Sequence, residues 1–246
     1  MMINATELYE SWEVFYSSQN IFVFHYMSVN LALLYYTQRL RKSMMIDDNF
    51  FVVISGNIGA GKTTLCSFIR EETEWQVLEE RVSDYLYVKD FYEDMHRWSF
   101  HSQLQFIVKK FEQQKMLPRV VFQDRSAYEC YEIFSRKLFD DGFMNKRDFI
   151  CLSDIYNLIS SFSPIPSLIV HLKSTPEVEF SRIMERSREF EKDISFSYIM
   201  DLEKRYELWT NSVTFCPLLE IDTSSKSPEE VFQEFYKAVH GIFQNI

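Results

Sequence analysis

A glycine-rich run from Ser55 to Leu65, SGNIGAGKTTL, carries Gly56, four further residues, and then Gly61, Lys62 and Thr63. This is the G-x-x-x-x-G-K-[ST] phosphate loop, and its chemistry follows from its residue types. The backbone N–H groups of Gly56, Asn57, Ile58, Gly59, Ala60 and Gly61, with a helix start behind them, attract phosphate oxygens. Lys62 would reach the terminal phosphates, and Thr63 would set its hydroxyl on Mg2+, with Thr64 next to it in the nucleotide-binding set. Motors, switches, synthetases and small-molecule kinases all use this loop. The acceptor of the phosphate must be read elsewhere.

Three other groups of residues can do chemistry. Glu80 can accept a proton from an attacking hydroxyl, although on its own it is equally a surface glutamate paired with Arg81. Asp124 can hold Mg2+ or its waters, and Arg125 can bind phosphoryl oxygens through its fork; alternatively Asp124 and Ser126 cap the next helix. The run RIMERSREFEK brings Arg182, Arg186 and Arg188 together in an acidic chain. Such arginines could close over transferring phosphates, or could lace a solvated helix with Glu185 and Glu189.

The elements that position these residues alternate strand and helix. FFVVIS (50–55), QVLEE (76–80), VVFQD (120–124), SLIVHLK (167–173) and PLLEI (217–221) read as buried strands. Helices are expected over 62–72, 85–116, 127–139, 146–161, from Pro176 onward, 194–211 and 228–243. That is an α/β domain with one five-stranded parallel sheet flanked by helices. In such sheets ligands sit outside the carboxyl ends of the strands, so Glu80, Asp124, Arg125 and the loop should share one crevice.

Composition bounds the function. Hydrophobic content is 46% and charged content 25%, as in ordinary globular domains. The net charge of −10 argues against a nucleic acid polymer as partner. Aromatics reach 17%, with 23 Phe and 14 Tyr, enough for a ring-filled core, a stacking surface for a planar ligand, or both. The four cysteines, Cys66, Cys130, Cys151 and Cys216, have no metal-ligand spacing and read as reduced intracellular thiols.

In order, the chain shows GNIGAGKTT, EERV, DFYEDMHRWSFHSQ, QDRSAYECYEIF and RIMERSREFE. This series resembles the deoxynucleoside kinases, whose pattern is a phosphate loop, E-x-V, F-Y with R-W-x-F-x-x-Q, [ED]-R-S and R-x-R-x-x-E. The resemblance spans about Phe51 to Ile221. It implies the P-loop kinase fold with a lid segment, and transfer of the γ-phosphate of ATP or another triphosphate, with Mg2+, to the 5′-hydroxyl of a deoxynucleoside. By that resemblance Glu80 is the general base, Arg125 and Lys62 complete the catalytic set, and Thr63 and Asp124 serve the metal. Tyr92 and Glu191 would hold the sugar 3′-hydroxyl, Gln103 the base edge, and Tyr85, Phe134 and Cys130 the base pocket. Arg182, Arg186 and Arg188 would be lid and phosphate arginines. The family is commonly dimeric, so a homodimer is compatible with the resemblance. An intracellular location is expected, cytoplasmic ahead of mitochondrial.

The chain departs from the family at two positions. Deoxycytidine and deoxyadenosine kinases carry an arginine seven residues after the glutamine and an aspartate six after the start of [ED]-R-S; here these are Lys110 and Cys130. Cys130 tilts toward a pyrimidine, Lys110 fits neither pattern, and the preferred base stays open. Two alternatives remain: a thymidylate-kinase-like enzyme acting on a monophosphate, and a non-catalytic nucleotide-binding accessory subunit.

Residues 1–45 lie outside the resemblance, and residues 46–246 form the kinase domain. The run IFVFHYMSVNLALLYY (21–36) is short for a bilayer span, which needs about 20 apolar residues, and is interrupted by His25, Ser28 and Asn30. A packed helix, a weak anchor and residues upstream of the true start all fit. Since every site residue follows Phe50, a chain starting at Met45 should fold and retain phosphoryl transfer. An inactive or insoluble truncated protein would show that the segment is needed.

Overall fold

The computed structural model describes residues 50–114, 119–188, 191–192 and 194–243. The expectations for residues 1–45 fall outside them. Strand β1 (Phe50–Gly56) is buried along its whole length, because it lies at the centre of a parallel sheet of order β2-β3-β1-β4-β5. Its neighbours are β3 (Val120–Asp124) and β4 (Leu168–Lys173), with β2 (Gln76–Leu78) and β5 (Leu218–Asp222) at the edges.

Alternation along β1 sends side chains to both faces. Phe50, Val52 and Ile54 pack with Leu65 and Ile69 of α1 (Lys62–Glu72), and with Phe232, Phe235 and Val239 of the last helix, α9 (Pro228–Phe243). Phe51 and Val53 pack on the opposite face with Ile133, Leu202, Tyr206 and Trp209. A third cluster lies among α2 (Val88–Glu93), α3 (Met95–Gln113), the segment after β3 and α6 (Lys146–Ser161), and includes Phe91, Ile107, Tyr131 and Leu152. Much of the aromatic surplus is spent in these clusters, as in the Tyr131–Tyr156 stack at 4.2 Å and the Trp75–Phe122 stack at 5.1 Å.

Three expected elements come out differently. The helical zone 85–116 is broken at Asp94, which ends α2 and caps α3 by accepting from Arg97 N at 3.2 Å. The second strand stops at Leu78, so Glu79 and Glu80 lie beyond its end. The helix from Ala127 is not uniform: α4 (Ala127–Glu129) passes into a π turn (Cys130–Ser135) and then α5 (Arg136–Asp140). Ser135 Oγ donates to Cys130 O at 2.7 Å within that turn. A 3-10 turn (Val82–Asp84) follows Arg81, and helices α7 (Pro176–Arg186) and α8 (Phe196–Ser212) complete the described elements.

Two glycines of the loop are required by close approach. A Cβ on Gly59 (φ +87) would sit 2.5 Å from the carbonyl oxygen of Glu179, and one on Gly56 would sit 2.6 Å from that of Leu172. The loop is thus seated directly on α7 and β4.

His171, on β4, faces Ser55, its Nδ1 3.2 Å from Ser55 Oγ. Burial, with Lys62 and Lys173 adding to it, pulls its pKa from 6.5 down to about 4. A folded-state pKa below the unfolded one gives stability that is present above pH 6.5 and lost as pH falls toward 4. The displacement corresponds to roughly 3 kcal/mol. His171→Gln should therefore lose less stability than the parent between pH 7 and pH 4.5 in urea unfolding. Equal losses would show that His171 does not set this acid sensitivity.

Candidate active site

The phosphate loop joins β1 to α1, with Gly61 as N-cap in the left-handed region. Lys62 turns its ammonium back onto the loop, donating to Gly56 O at 2.8 Å and Asn57 O at 2.7 Å. Burial, and the neighbouring Arg125 charge, lower its pKa to about 8. Thr63 Oγ1 donates to Asp124 Oδ2 at 3.1 Å. The other carboxylate oxygen of Asp124 is buried with no hydrogen-bond partner. An orphaned carboxylate oxygen beside a threonine hydroxyl is a hard-oxygen donor pair, so these two residues fit Mg2+, which usually takes few protein ligands and completes its shell with water and phosphate. Among the described residues no cluster of three metal-ligating side chains competes with them.

Arg125 follows β3 with φ +60, a left-handed conformation that non-glycine residues seldom adopt. Its amide donates to Ile54 O at 3.0 Å. Its Nε lies 3.2 Å from Glu80 Oε2, and its Nη1 donates to the Tyr206 hydroxyl at 2.6 Å. Tyr206 donates onward to Glu129 Oε1 at 3.0 Å, and Glu129 also closes a capping box with Ser126. The guanidinium carbon sits 4.6 Å from the centre of the Phe134 ring. Burial alone would lower the pKa of Arg125; Tyr206, Glu80 and Glu129 outweigh it and hold it well above the ordinary value. For Glu80, burial pulls upward, but Lys110, Arg125 and Lys62 prevail and its pKa falls to about 2. Glu80 is therefore ionised at any physiological pH.

Two clefts open on this crevice. The first is lined by Glu80, Arg125, Tyr92, Gln103, Cys130, Phe134, Arg186, Arg188 and Glu191, with Phe91, Phe106 and Leu138 among its apolar walls. The second follows the loop from Gly59 to Leu65 and includes Ala60, Thr64, Arg182 and Thr223. Gly59, Lys62, Thr63 and Arg186 border both. Gln103 is buried, its amide oxygen 3.4 Å from Ser135 Oγ. Burial raises the Cys130 thiol to about 12, so that wall of the first cleft is uncharged. Burial, then Glu191, raises Tyr92 to about 12.

The expected residues do not all meet. Tyr85 is absent from the cleft wall: its ring lies 4.1 Å from Phe106, which does line it, so Tyr85 backs the wall instead. Asn57 is buried, its amide donating to Glu179 Oε2 at 2.6 Å and Ile199 O at 3.2 Å, which braces the loop rather than lining a cleft. Gly56 borders neither cleft, and its amide points to Glu129 Oε1 at 3.4 Å. Arg182 spans Gly59 O and the Thr223 carbonyl and hydroxyl. Arg186 makes a two-pronged pair with Glu191, both contacts at 2.7 Å, and Arg188 stands 3.6 Å from the same carboxylate.

Sequence reading missed Glu129, Tyr206 and the position of Lys110. Glu129 had a signal, since S-x-x-E from Ser126 is a capping box. Lys110 had one too: a lysine between Ile107 and Phe111 on a buried helical stripe must have an anion near it. Tyr206 had none, being brought in from 81 residues away.

Comparisons with known proteins place the chain in a family. Residues 52–244 match the family model described as deoxynucleoside kinase. The chain is 31% identical over 185 residues to a deoxyadenosine/deoxycytidine kinase of Bacillus subtilis, covering 73% of this chain and 85% of that protein. It is 32% identical to a deoxyadenosine kinase of Dictyostelium discoideum, covering 76% of this chain and 78% of that one. Human mitochondrial thymidine kinase 2 is 27% identical over 198 residues, 74% of this chain and 75% of that protein. A solved deoxyadenosine kinase from M. mycoides with dCMP and dCDP bound superposes with a TM-score of 0.70 at 23% identity, covering 78% of this chain and 100% of that one, and shows the shared fold. No helix among the described residues is long and apolar enough to cross a membrane. With a phosphate loop and a carboxylate–arginine pair on one crevice, and with these matches, the chain belongs to the deoxynucleoside kinase family and is an enzyme with nucleoside kinase activity.

Proposed function

We propose that this enzyme transfers the γ-phosphoryl group of ATP, or another triphosphate, to the 5′-hydroxyl of a deoxyribonucleoside, and that residues 46–246 carry the whole reaction. The observation behind this reading is the meeting of the two clefts at Gly59, Lys62, Thr63 and Arg186. A donor along the loop and an acceptor in the first cleft would bring the two reacting oxygens in line there.

In this reading Gln103 meets the base edge, Phe134 and Phe106 flank the base plane, and Tyr92 and Glu191 face the sugar 3′-hydroxyl. Glu80 takes the proton from the 5′-hydroxyl. A carboxylate with a pKa near 2 is a weak base toward a free alcohol. In a loose phosphoryl-transfer transition state the alcohol acidifies only as its bond to phosphorus forms, so a late proton transfer to Glu80 suffices. Lys62 and Arg186 stabilise the charge on the transferring group, and Arg125 keeps Glu80 oriented while facing the same oxygens. Asp124 and Thr63 would hold Mg2+, which when bound supplies charge neutralisation between the donor phosphates.

The uncharged side chains of Gln103, Cys130 and Phe134 on the wall of the first cleft support an uncharged nucleoside over a monophosphate as acceptor. The test is ADP release with panels of deoxynucleosides and deoxynucleoside monophosphates. Turnover confined to the monophosphates would overturn the reading.

Glu80→Gln keeps the shape and removes the proton acceptor. Its kcat should fall by about 10²–10⁴-fold with nucleoside affinity nearly intact. A variant turning over at the parent rate would remove Glu80 from the mechanism.

Cys130 lines the first cleft, and Cys130→Asp adds an acceptor for an exocyclic amine there. Relative kcat/KM should move toward deoxycytidine or deoxyadenosine and away from thymidine, because a site that pairs a polar group discriminates more than one that merely fits. An unchanged ranking over the four deoxynucleosides would mean that Cys130 does not touch the base.

A further inference from the structure

Lys110 sits on α3 between Ile107 and Phe111 with no solvent exposure at all. An ammonium there is costly unless its charge is met, and a leucine would fill the same stripe without that cost. The charge is met at one place. Lys110 Nζ donates to Asp124 O at 2.6 Å and stands 3.2 Å from Glu80 Oε1. The other oxygen of Glu80 faces Arg125 Nε, also at 3.2 Å. Lys110 itself does not line the nucleoside cleft.

Glu80 needs such support because of where it lies. It follows the end of a three-residue edge strand and has no regular element of its own. Helix α3 grips this segment a second time, through Gln113 Nε2 donating to Glu79 O at 2.9 Å. The end of β3 grips it through Arg125. A carboxylate tied through one oxygen can swing about that contact; tied through both, from two different elements, it keeps one plane.

We propose that Lys110 is a positioning residue for phosphoryl transfer: it clamps Glu80 through Oε1 and fixes the carboxylate toward the acceptor hydroxyl, opposite the Arg125 clamp on Oε2. The proposal rests on the reading of Glu80 as proton acceptor.

The experiment is a double-mutant cycle on the full chain, reading kcat and nucleoside Kd, with thermal unfolding alongside. Lys110→Gln removes the charge and keeps a donor; Lys110→Met removes both. In the folded Lys110→Gln enzyme kcat should fall about 10–100-fold as the charge pair on Oε1, an ion pair rather than a hydrogen bond, is lost, with Kd changed less than about 3-fold. In the Glu80→Gln background the same change should cost less than about 3-fold further, since the group it positions is gone. Lys110→Arg, which keeps the cation, should retain more activity than either neutral variant. A merely structural lysine predicts lower thermal stability with kcat unchanged, or an equal loss in both backgrounds; either result overturns the proposal. If Lys110→Met does not fold, Lys110→Gln and Lys110→Arg decide alone, and equal kcat in these two also overturns it. Parent-like turnover in Glu80→Gln alone would instead sink the general-base reading.

Discussion

Charge balance at the carboxyl end of β1 and β3 is the constraint on which the rest depends. Lys62, Lys110 and Arg125 are buried there with Asp124 and Glu129, and Glu80 is nearly so. In a medium of low polarity no one of these charges is tolerable alone, and each contact with an opposite charge offsets part of its dehydration. The helices bring the partners: α3 supplies Lys110, α4 supplies Glu129, and α8 supplies the Tyr206 hydroxyl that joins Arg125 to Glu129. The site is thus built into the packing between the sheet and three helices, and the same pairs that stabilise it also aim it.

The loop is constrained in a second way, by contact. Gly56 and Gly59 admit the Leu172 and Glu179 carbonyls, and Asn57 is locked to Glu179 and Ile199. Burial, with Glu203 adding to it, raises Glu179 to about 8, so a protonated carboxyl shares this bond at neutral pH. The phosphate cradle therefore rests on α7, which itself carries Arg182 and Arg186, and on α8. Protein contacts alone hold the cradle in this form, and a fixed cradle is what electrostatic stabilisation of a transferring group requires.

Much of this was legible in the sequence, for physical reasons. The five strands are continuous apolar runs because a parallel sheet is covered on both faces, and the loop's spacing is dictated by phosphate geometry. Crevice convergence followed from topology alone. Two kinds of feature were hidden. One is local backbone choice: neither the break at Asp94 nor the π turn at Cys130–Ser135 interrupts the apolar periodicity, so periodicity cannot reveal them. The other is long-range pairing. Tyr85 was expected at the base pocket, and only packing shows Phe106 standing in front of it. Tyr206 looks like any core tyrosine until the fold brings its hydroxyl to Arg125.

Helix α3 carries Gln103 and Lys110 seven residues apart, about two turns or 10 Å along a single stiff rod. One end faces the cleft where a base would lie, and the other holds the carboxylate beside the phosphate loop. A change of side chain near Gln103 that tilts or slides this rod to admit a larger base would be felt at Glu80 as well. Under the proposed roles of Gln103, Glu80 and Lys110, substrate range and turnover would be coupled through this helix. Variants selected for a new nucleoside should tend to lose rate until a second substitution, in the helix or in the pocket wall opposite, restores the rod to its seat.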